Sequence, residues 1–202
     1  MLLDADESQL VLVDYQEKLM PAIFEAQAVV ANALRLAQAA RLLQVPVWGT
    51  EHNPQKLGGN VPSVRVLCER TLGKMSFSAA TDELLHTLRP PVSARPASGN
   101  ARSLPKHLRK PEVAPPERPS IVVAGCEAHV CLLQTALELL EHEFEVWVVT
   151  DACSSRTERN RDAAFDRLAG AGAELVTTEM VVFEWLRDCE HPAFREALAL
   201  IK

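Results

Sequence analysis

The feature that most constrains the fold is a series of short, valine-rich apolar runs that alternate with segments of helical spacing. The runs cover residues 9–14 (QLVLVD), 45–50 (VPVWGT), 121–125 (IVVAG), 146–150 (VWVVT) and 175–177, and the helical segments cover residues 29–43, 130–142, 158–169 and 192–201. A run that is apolar throughout suits a strand buried on both faces of a parallel sheet. The alternation therefore predicts an α/β fold of three layers (α/β/α) with a mostly parallel, doubly wound sheet.

Polar residues follow several of the predicted strands directly. Asp14 ends the first run, Thr50 and Glu51 follow the second, and Asp151 follows the fourth. The stretch AGCEAHVCLLQT, at residues 124–135, changes from an apolar run to helical spacing. Ligands of such sheets bind outside the carboxyl ends of the strands, so these positions form the candidate functional site.

One segment departs from the pattern of strands and helices. Residues 90–119 contain 8 of the chain's 13 prolines, and six Lys and Arg against two Glu give the segment a local charge of +4. Because such a composition supplies no buried face, we interpret it as a surface insertion in a single domain spanning residues 1–202. A solvated excursion, a lid and an arm that docks a partner are all compatible with it.

Charge and hydropathy exclude several classes of protein. The formal charge of −6 argues against a nucleic-acid binder, which needs a basic face. The acidic start MLLDADESQLVLVD is unlike a secretory signal, and no apolar run approaches the ~20 residues of a membrane span. We therefore expect a cytoplasmic protein without a membrane partner. Five cysteines are too few for a disulfide framework in a chain of this length.

Cofactor and metal motifs are missing from the sequence. The first predicted strand is followed by DYQEKLMP, which lacks the glycines that let a dinucleotide approach the backbone. Cys126 and Cys131 are spaced like neither a C-x-x-C redox pair nor a zinc knuckle, and Val146 stands where a zinc-protease helix starting at His142 needs its second histidine. We expect neither a cofactor nor a metal.

Cys131 remains as a candidate nucleophile. It lies in the first turn of a predicted helix that follows a strand, where unpaired N–H groups and the helix dipole favour a thiolate and can bind an oxyanion. Asp14 is a candidate base, and Lys74, in the segment GKMSFSA, is a candidate cation. These residues alone leave two interpretations open, a nucleophile and a buried core cysteine.

Several spaced motifs resemble one family. The segment GCEAHVCLLQTALELLEHEFEVWVVTDACSSR is similar to the signature of the isochorismatase-like cysteine hydrolases. LVLVDYQEKLMPAI resembles the family's first strand, TEHNPQKLG its second-strand loop, KMSFSA its K-x-x-F-S segment, and AGAELVTTEMVVFEWL and HPAFREALALIK its C-terminal part. Together these segments cover most of the chain outside residues 90–119.

The resemblance implies a catalytic triad of Asp14, Lys74 and Cys131, within a Rossmann-like α/β architecture. It also implies a non-proline cis peptide between Cys126 and Glu127, with the backbone N–H groups of Glu127 and Cys131 forming the oxyanion hole. The implied reaction is hydrolysis of a small molecule at an amide or similar C–N bond, through a covalent thioester-type intermediate. Homo-oligomers are implied as well.

The sequence departs from one branch of the family. Nicotinamidases carry a metal site in a D-x-H pattern after the second strand, whereas Glu51, His52 and Asn53 stand here without a second histidine nearby. The resemblance is therefore to the metal-independent members of undefined substrate. Two alternatives remain, a vinyl-ether hydrolase of the isochorismatase type and a catalytically idle binding or scaffold protein of the same fold.

Further residues are candidates for supporting or lining the site, and for each a core or plain surface role is an open alternative. They are Gln16, Glu51, Phe77, Cys126, Tyr15, Phe24 and Trp48. His129 lies two residues before Cys131, and we expect its side chain to point away from the thiol because the two positions do not share a helix face.

Overall fold

The computed structural model describes residues 2–90 and 117–202, so most of the predicted insertion at 90–119 lies outside the described residues. The strands are β1 Ser8–Val13, β2 Val47–His52, β3 Arg70–Lys74, β4 Ser120–Gly125, β5 Glu145–Val149 and β6 Glu174–Val176. The helices are α1 Ala26–Leu42, α2 Pro54–Leu57, α3 Pro62–Arg65, α4 Asp82–Leu88, α5 Leu133–Glu141, α6 Glu158–Gly170, α7 Thr178–Leu186 and α8 Phe194–Ile201. Short 3₁₀ turns lie at Ala5–Glu7, Met20–Ala22 and Thr150–Ala152, and a π-helical turn, Ala128–Leu132, precedes α5.

The six strands form one sheet in the order β3-β2-β1-β4-β5-β6, and every pairing is parallel. Helices cover both faces, so the predicted three-layer α/β/α fold is confirmed. All residues of β1 and of β4 are buried, as expected for the central strands of a sheet that is covered on both sides.

The strand order reverses direction beside β1. The chain first builds β2 and β3 on one side of β1 and then crosses to build β4 on the other side. A crevice therefore opens outside the carboxyl ends of β1 and β4, the position where open α/β sheets bind ligands. In the register of the sheet, Val13 pairs with both Thr50 and Gly125, so the residues that follow β1, β2 and β4 lie together.

The sequence patterns did not predict β3, α4 and α7. β3 is an edge strand, and exposed residues such as Arg70 and Gly73 interrupt its apolar pattern. In α7 the buried residues follow a helical period, but Met180 and Phe183 are apolar and exposed, which obscures that period in the sequence. Among the described residues, no helix combines the length and the apolar character needed to cross a membrane.

Gly125 allows the end of β4 to approach β1 closely. It has φ +154°, and a Cβ placed there would lie 2.2 Å from the carbonyl oxygen of Val13. We expect Gly125→Ala to lower the free energy of unfolding by about 3 kcal/mol or more, because the clash is with backbone. Urea unfolding measures the change.

Gly170 provides the matched control for this substitution. It ends α6, and a Cβ placed there would meet nothing within 4 Å. Gly170→Ala should leave stability unchanged or raise it by up to about 1 kcal/mol, because alanine favours the helix. Equal effects of the two substitutions would show that the close approach at Gly125 does not limit stability.

Candidate active site

Asp14 and Lys74 form a buried ion pair at the carboxyl edge of the sheet. Lys74 Nζ donates to Asp14 Oδ2 over 2.7 Å, and the side chains are 3% and 0% exposed. Thr50 Oγ1 donates to the other carboxylate oxygen, Oδ1, also over 2.7 Å. Asp14 follows β1, Thr50 lies in β2 and Lys74 ends β3, so three neighbouring strands hold one carboxylate.

The Lys74 ammonium is also held by the segment 75–80, which we call the lysine loop. Its Nζ donates to the carbonyl oxygen of Phe77 over 2.7 Å and to that of Ser76 over 3.3 Å. With Asp14, these contacts occupy the donor directions of a primary ammonium. The position of the charge therefore depends on the conformation of the lysine loop.

Cys131 lies within the π-helical turn before α5 and is buried. Burial, followed by the negative charge of Asp14, raises the pKa of the Cys131 thiol to about 12, while the charge of Lys74 lowers it. Burial and the adjacent carboxylate therefore oppose the helix start, which favours a thiolate. A raised pKa favours the protonated thiol, so the sulfur needs a base to accept its proton.

The turn that carries Cys131 begins at a peptide bond between Cys126 and Glu127, which is cis. The N–H of Ala128 donates to the carbonyl oxygen of Ser154 over 2.7 Å, and the N–H of Leu132 donates to that of Glu127 over 3.2 Å. These bonds tie the turn both to its own start and to the loop after β5.

Comparison with known proteins identifies the family to which the chain belongs. The family model described as "Isochorismatase domain" matches residues 8–180, most of the chain. The chain is an isochorismatase-family protein. Isochorismatase domain-containing protein 2 of Rattus norvegicus is 36% identical over 197 residues, which are 98% of this chain and 82% of that protein.

Comparison with solved structures supports the isochorismatase fold. MAR1 ribonuclease from Caenorhabditis elegans is 30% identical, with a TM-score of 0.83 over 100% of this chain and 92% of that one. YcaC from Escherichia coli, described as an octameric hydrolase of unknown specificity, is 24% identical with a TM-score of 0.78, covering 100% of this chain and 87% of that one. The predicted family and the predicted fold are confirmed.

Gln16 and Glu51 support the loops of this isochorismatase-family site without touching the ion pair in the hydrogen bonds described. The Gln16 amide donates to the carbonyl oxygens of His52 and Gly58 and accepts from the N–H of His52, joining the ends of β1 and β2. Glu51 Oε1 accepts from the N–H of Asn60 over 2.8 Å. Both side chains are buried, so each has a structural contact where a plain surface role was one alternative.

Glu127 has a side-chain role besides its position in the turn. Its Oε2 accepts from the backbone N–H of Arg156 over 3.0 Å and from Arg156 Nε over 2.9 Å. Cys126, the preceding residue, is fully buried, and burial raises its pKa to about 12. Cys126 is therefore a neutral, buried thiol at the strand end.

The aromatic candidates divide between the site and the core. Phe77 is 52% exposed, and its ring packs 5.3 Å from the ring of His52 beside the lysine loop. Tyr15 is fully buried, and its hydroxyl donates to the carbonyl oxygen of Ala152. Trp48 and Phe24 are half-buried, and Trp48 Nε1 donates to Gln9 Oε1 near the start of the sheet. Of the four, Phe77 lies closest in sequence to Lys74.

His129 is engaged away from the thiol. Its Nδ1 lies 2.9 Å from Ser155 Oγ, and its Nε2 lies 3.4 Å from Asn160 Nδ2. Both ring nitrogens therefore have partners on the loop after β5 and on α6. Within residues 2–90 and 117–202, no group of three or more His, Cys, Asp or Glu side chains is arranged to hold a metal ion.

Sequence reasoning missed Thr135, Ser78 and Glu138. Thr135 Oγ1 donates to the carbonyl oxygen of Cys131, and Ser78 Oγ donates to Glu138 Oε2, both over 2.6 Å. The spacing of four between Cys131 and Thr135 is a signal for a side-chain bond within a helix. The contact of Thr135 with the lysine loop, across the fold, has no signal in the sequence.

The raised pKa of Cys131 predicts how the isochorismatase-family site reacts with iodoacetamide. Because the thiolate is the reactive form, the alkylation rate of Cys131 should rise about tenfold per pH unit from pH 7 to 9, without levelling off. Mass spectrometry of the modified chain measures the rate, with a small free thiol as reference. A plateau below pH 9 would mean that the thiolate is already formed.

Asp14→Asn should speed this alkylation. The Asp14 charge raises the pKa of Cys131, so its removal lowers that pKa and increases the thiolate fraction at a given pH. Hydrolysis should instead slow, if Asp14 is the base. Opposite changes in the two rates would separate an electrostatic role of Asp14 from its role in proton transfer.

Proposed function

We propose that this isochorismatase-family protein is a cysteine-dependent hydrolase of small molecules with an amide or similar C–N bond. The observation that carries the proposal is the buried ion pair between Lys74 Nζ and Asp14 Oδ2, 2.7 Å apart, whose charges both act on the Cys131 thiol. A buried pair of charges costs free energy of desolvation, and a thiol with a perturbed pKa, such as Cys131, is typical of functional sites.

In the proposed first step, Cys131 Sγ attacks the carbonyl carbon of the substrate while its proton passes to the Asp14 carboxylate. The oxyanion that forms is bound by the backbone N–H groups of Glu127 and Cys131. When the intermediate collapses, the proton on Asp14 moves to the leaving nitrogen, the C–N bond breaks, and an amine or ammonia departs. The product on the enzyme is a thioester of Cys131.

In the second step, a water molecule attacks the thioester. Asp14 accepts a proton from that water and returns it to Cys131 Sγ as the C–S bond breaks, so a carboxylic acid leaves and the resting site is restored. Lys74 stabilises the carboxylate form of Asp14 and the negative charge that develops nearby. A thiol whose pKa is raised requires such a base, because it is a weak nucleophile while it keeps its proton.

A small substrate is favoured by access to the site. The residues Asp14, Lys74 and Cys131 are 0%, 7% and 6% exposed, which leaves little surface for a macromolecule to contact. The name of the Caenorhabditis elegans relative states a ribonuclease, and the formal charge of −6 argues against that activity here. RNA therefore belongs in the substrate panel as the competing class.

The test is a panel of amides, ureides, isochorismate-like vinyl ethers and a short RNA, assayed for ammonia or product release. We expect release from an amide or ureide, together with a transient mass increase on Cys131 equal to the acyl group. Cleavage of the vinyl ether or the RNA without an acyl adduct would replace the proposed reaction. No release from any member, with no adduct, would favour the idle binding protein.

We also propose that the chain forms homo-oligomers. Met75 and Phe77, beside Lys74, are 72% and 52% exposed, and exposed apolar side chains of this size favour contact with another protein surface. Light scattering on the purified protein tests the assembly. A monomer at micromolar concentration would contradict this part of the proposal.

A further inference from the structure

Thr135 connects the Cys131 turn to the lysine loop. Its hydroxyl donates to the carbonyl oxygen of Cys131 over 2.6 Å and accepts from the backbone N–H of Ala79 over 2.8 Å. The residue is fully buried. One hydroxyl therefore satisfies a carbonyl of the nucleophile's turn and an N–H of the loop, and apolar surroundings make both bonds costly to lose.

A second contact joins the same two segments one turn further along α5. Ser78 Oγ donates to Glu138 Oε2 over 2.6 Å and accepts from the N–H of Ala80 over 3.1 Å. The preceding loop residues, Ser76 and Phe77, are the ones whose carbonyl oxygens hold Lys74 Nζ. The lysine loop is thus attached to Lys74 at one end and to α5 at the other.

We propose that Thr135 is a positioning residue that sets the Lys74 ammonium relative to the Cys131 thiol. It acts through the lysine loop and contacts neither the thiol nor the ammonium in the hydrogen bonds described. The inference rests on the proposed cysteine mechanism, in which the balance of Asp14 and Lys74 charges controls the sulfur. Small displacements of such groups lower rates strongly.

A threonine that bonds back to the preceding helical turn is common, and α4 supplies a matched example. Thr87 Oγ1 donates to the carbonyl oxygen of Glu83 over 2.7 Å, with the same spacing of four residues, but Thr87 is only half-buried and its bond is exposed to solvent. What distinguishes Thr135 is the bond it accepts from a segment 56 residues earlier in the chain. Thr87→Val therefore controls for loss of the helical bond alone.

The test compares Thr135→Val, Thr135→Ser and Thr87→Val by the rate at which iodoacetamide alkylates Cys131 at pH 8. Valine keeps the shape and removes the hydroxyl, whereas serine keeps the hydroxyl. We expect Thr135→Val to alkylate about tenfold more slowly, because a displaced ammonium no longer lowers the pKa of the thiol. Thr135→Ser and Thr87→Val should match the unmodified protein.

The sign of the change separates positioning from a purely structural role. If Thr135 only packed α5, its loss would loosen the turn, expose the buried sulfur and speed alkylation. In a background that lacks both charges, Asp14→Asn with Lys74→Met, Thr135→Val should cause no further slowing if it acts through Lys74. Faster alkylation, an unchanged rate, or equal slowing in both backgrounds would each overturn the inference.

Two measurements keep the inference independent of folding and of the substrate. Circular dichroism and thermal unfolding establish whether each variant is folded. If Thr135→Val is not folded, Ser78→Ala replaces it, because it breaks the second contact from the loop side. Ser78→Ala should slow alkylation equally, and a normal rate would count against the inference. Alkylation reports the geometry even where no substrate is hydrolysed. A failed substrate panel with slowed alkylation would therefore reject the proposed hydrolysis and retain the role of Thr135.

Discussion

Cys131→Ser is expected to remove hydrolysis of any amide substrate, with kcat/KM falling by about 10⁴-fold or more. A serine hydroxyl is a far weaker nucleophile, and the arrangement around it is suited to a thiol. The measurement is product release with the best member of the substrate panel, together with intact-mass analysis for the acyl adduct. The adduct should be absent from Cys131→Ser.

The control for this substitution is Cys189→Ser. Cys189 is a free, exposed cysteine before α8, so its replacement should leave both hydrolysis and the adduct on Cys131 unchanged. Retention of more than about one tenth of the activity in Cys131→Ser would contradict the nucleophile assignment, because loss of a true nucleophile leaves only binding effects. Loss in both variants would point to another cause, such as misfolding.

Lys74→Met is expected to destabilise the fold by roughly 3–5 kcal/mol, because it leaves a buried carboxylate without its counter-ion. The Asp14 side chain is fully buried, and Lys74 is its ion-pair partner at 2.7 Å. Methionine matches the length of the lysine stem, so the loss reports the charge more than the packing. Urea unfolding at constant pH measures the difference.

The matched control removes both charges. In the double variant, Asp14→Asn with Lys74→Met, the buried carboxylate is gone and an amide oxygen can still accept from Thr50 Oγ1, the donor in the structure. We expect the double variant to regain most of the lost stability, because removing both partners of a buried pair costs far less than removing one. If the double variant lost as much stability as the two single variants together, the ion pair would not be the source of the loss.

Sequence patterns located the framework of the site well. The runs at 9–14 and 121–125 correspond to β1, Ser8–Val13, and β4, Ser120–Gly125, because central parallel strands are apolar on both faces. The edge strand β3 was not predicted, because it is partly exposed at the edge of the sheet and contains few apolar residues. Lys74 ends that strand. It was identified by its residue type and by the motif around it, because the strand itself was not predicted.

The supporting contacts of the site were harder to predict. Gln16 and Glu51 were candidates, and they hold backbone groups at the end of β2 and in the segment that follows it. The spacing of Thr135 from Cys131 signals only a bond within the helix, and Ser78 gave no signal, because a hydroxyl that bridges two segments resembles any other threonine or serine in the sequence. Their importance depends on burial and on partners 56 and 60 residues away.

By itself the sequence determined the α/β class, the family resemblance and the residues proposed for the chemistry, because periodicity and motifs are local properties of the chain. Only the tertiary structure decided that Asp14 and Lys74, 60 residues apart, form an ion pair. It also decided that the Cys131 thiol is buried beside the Asp14 charge, which raises its pKa against the effect of the helix start. The ionisation of a buried group depends on lost hydration and on charges brought near by the strand order, and neither is encoded within one segment.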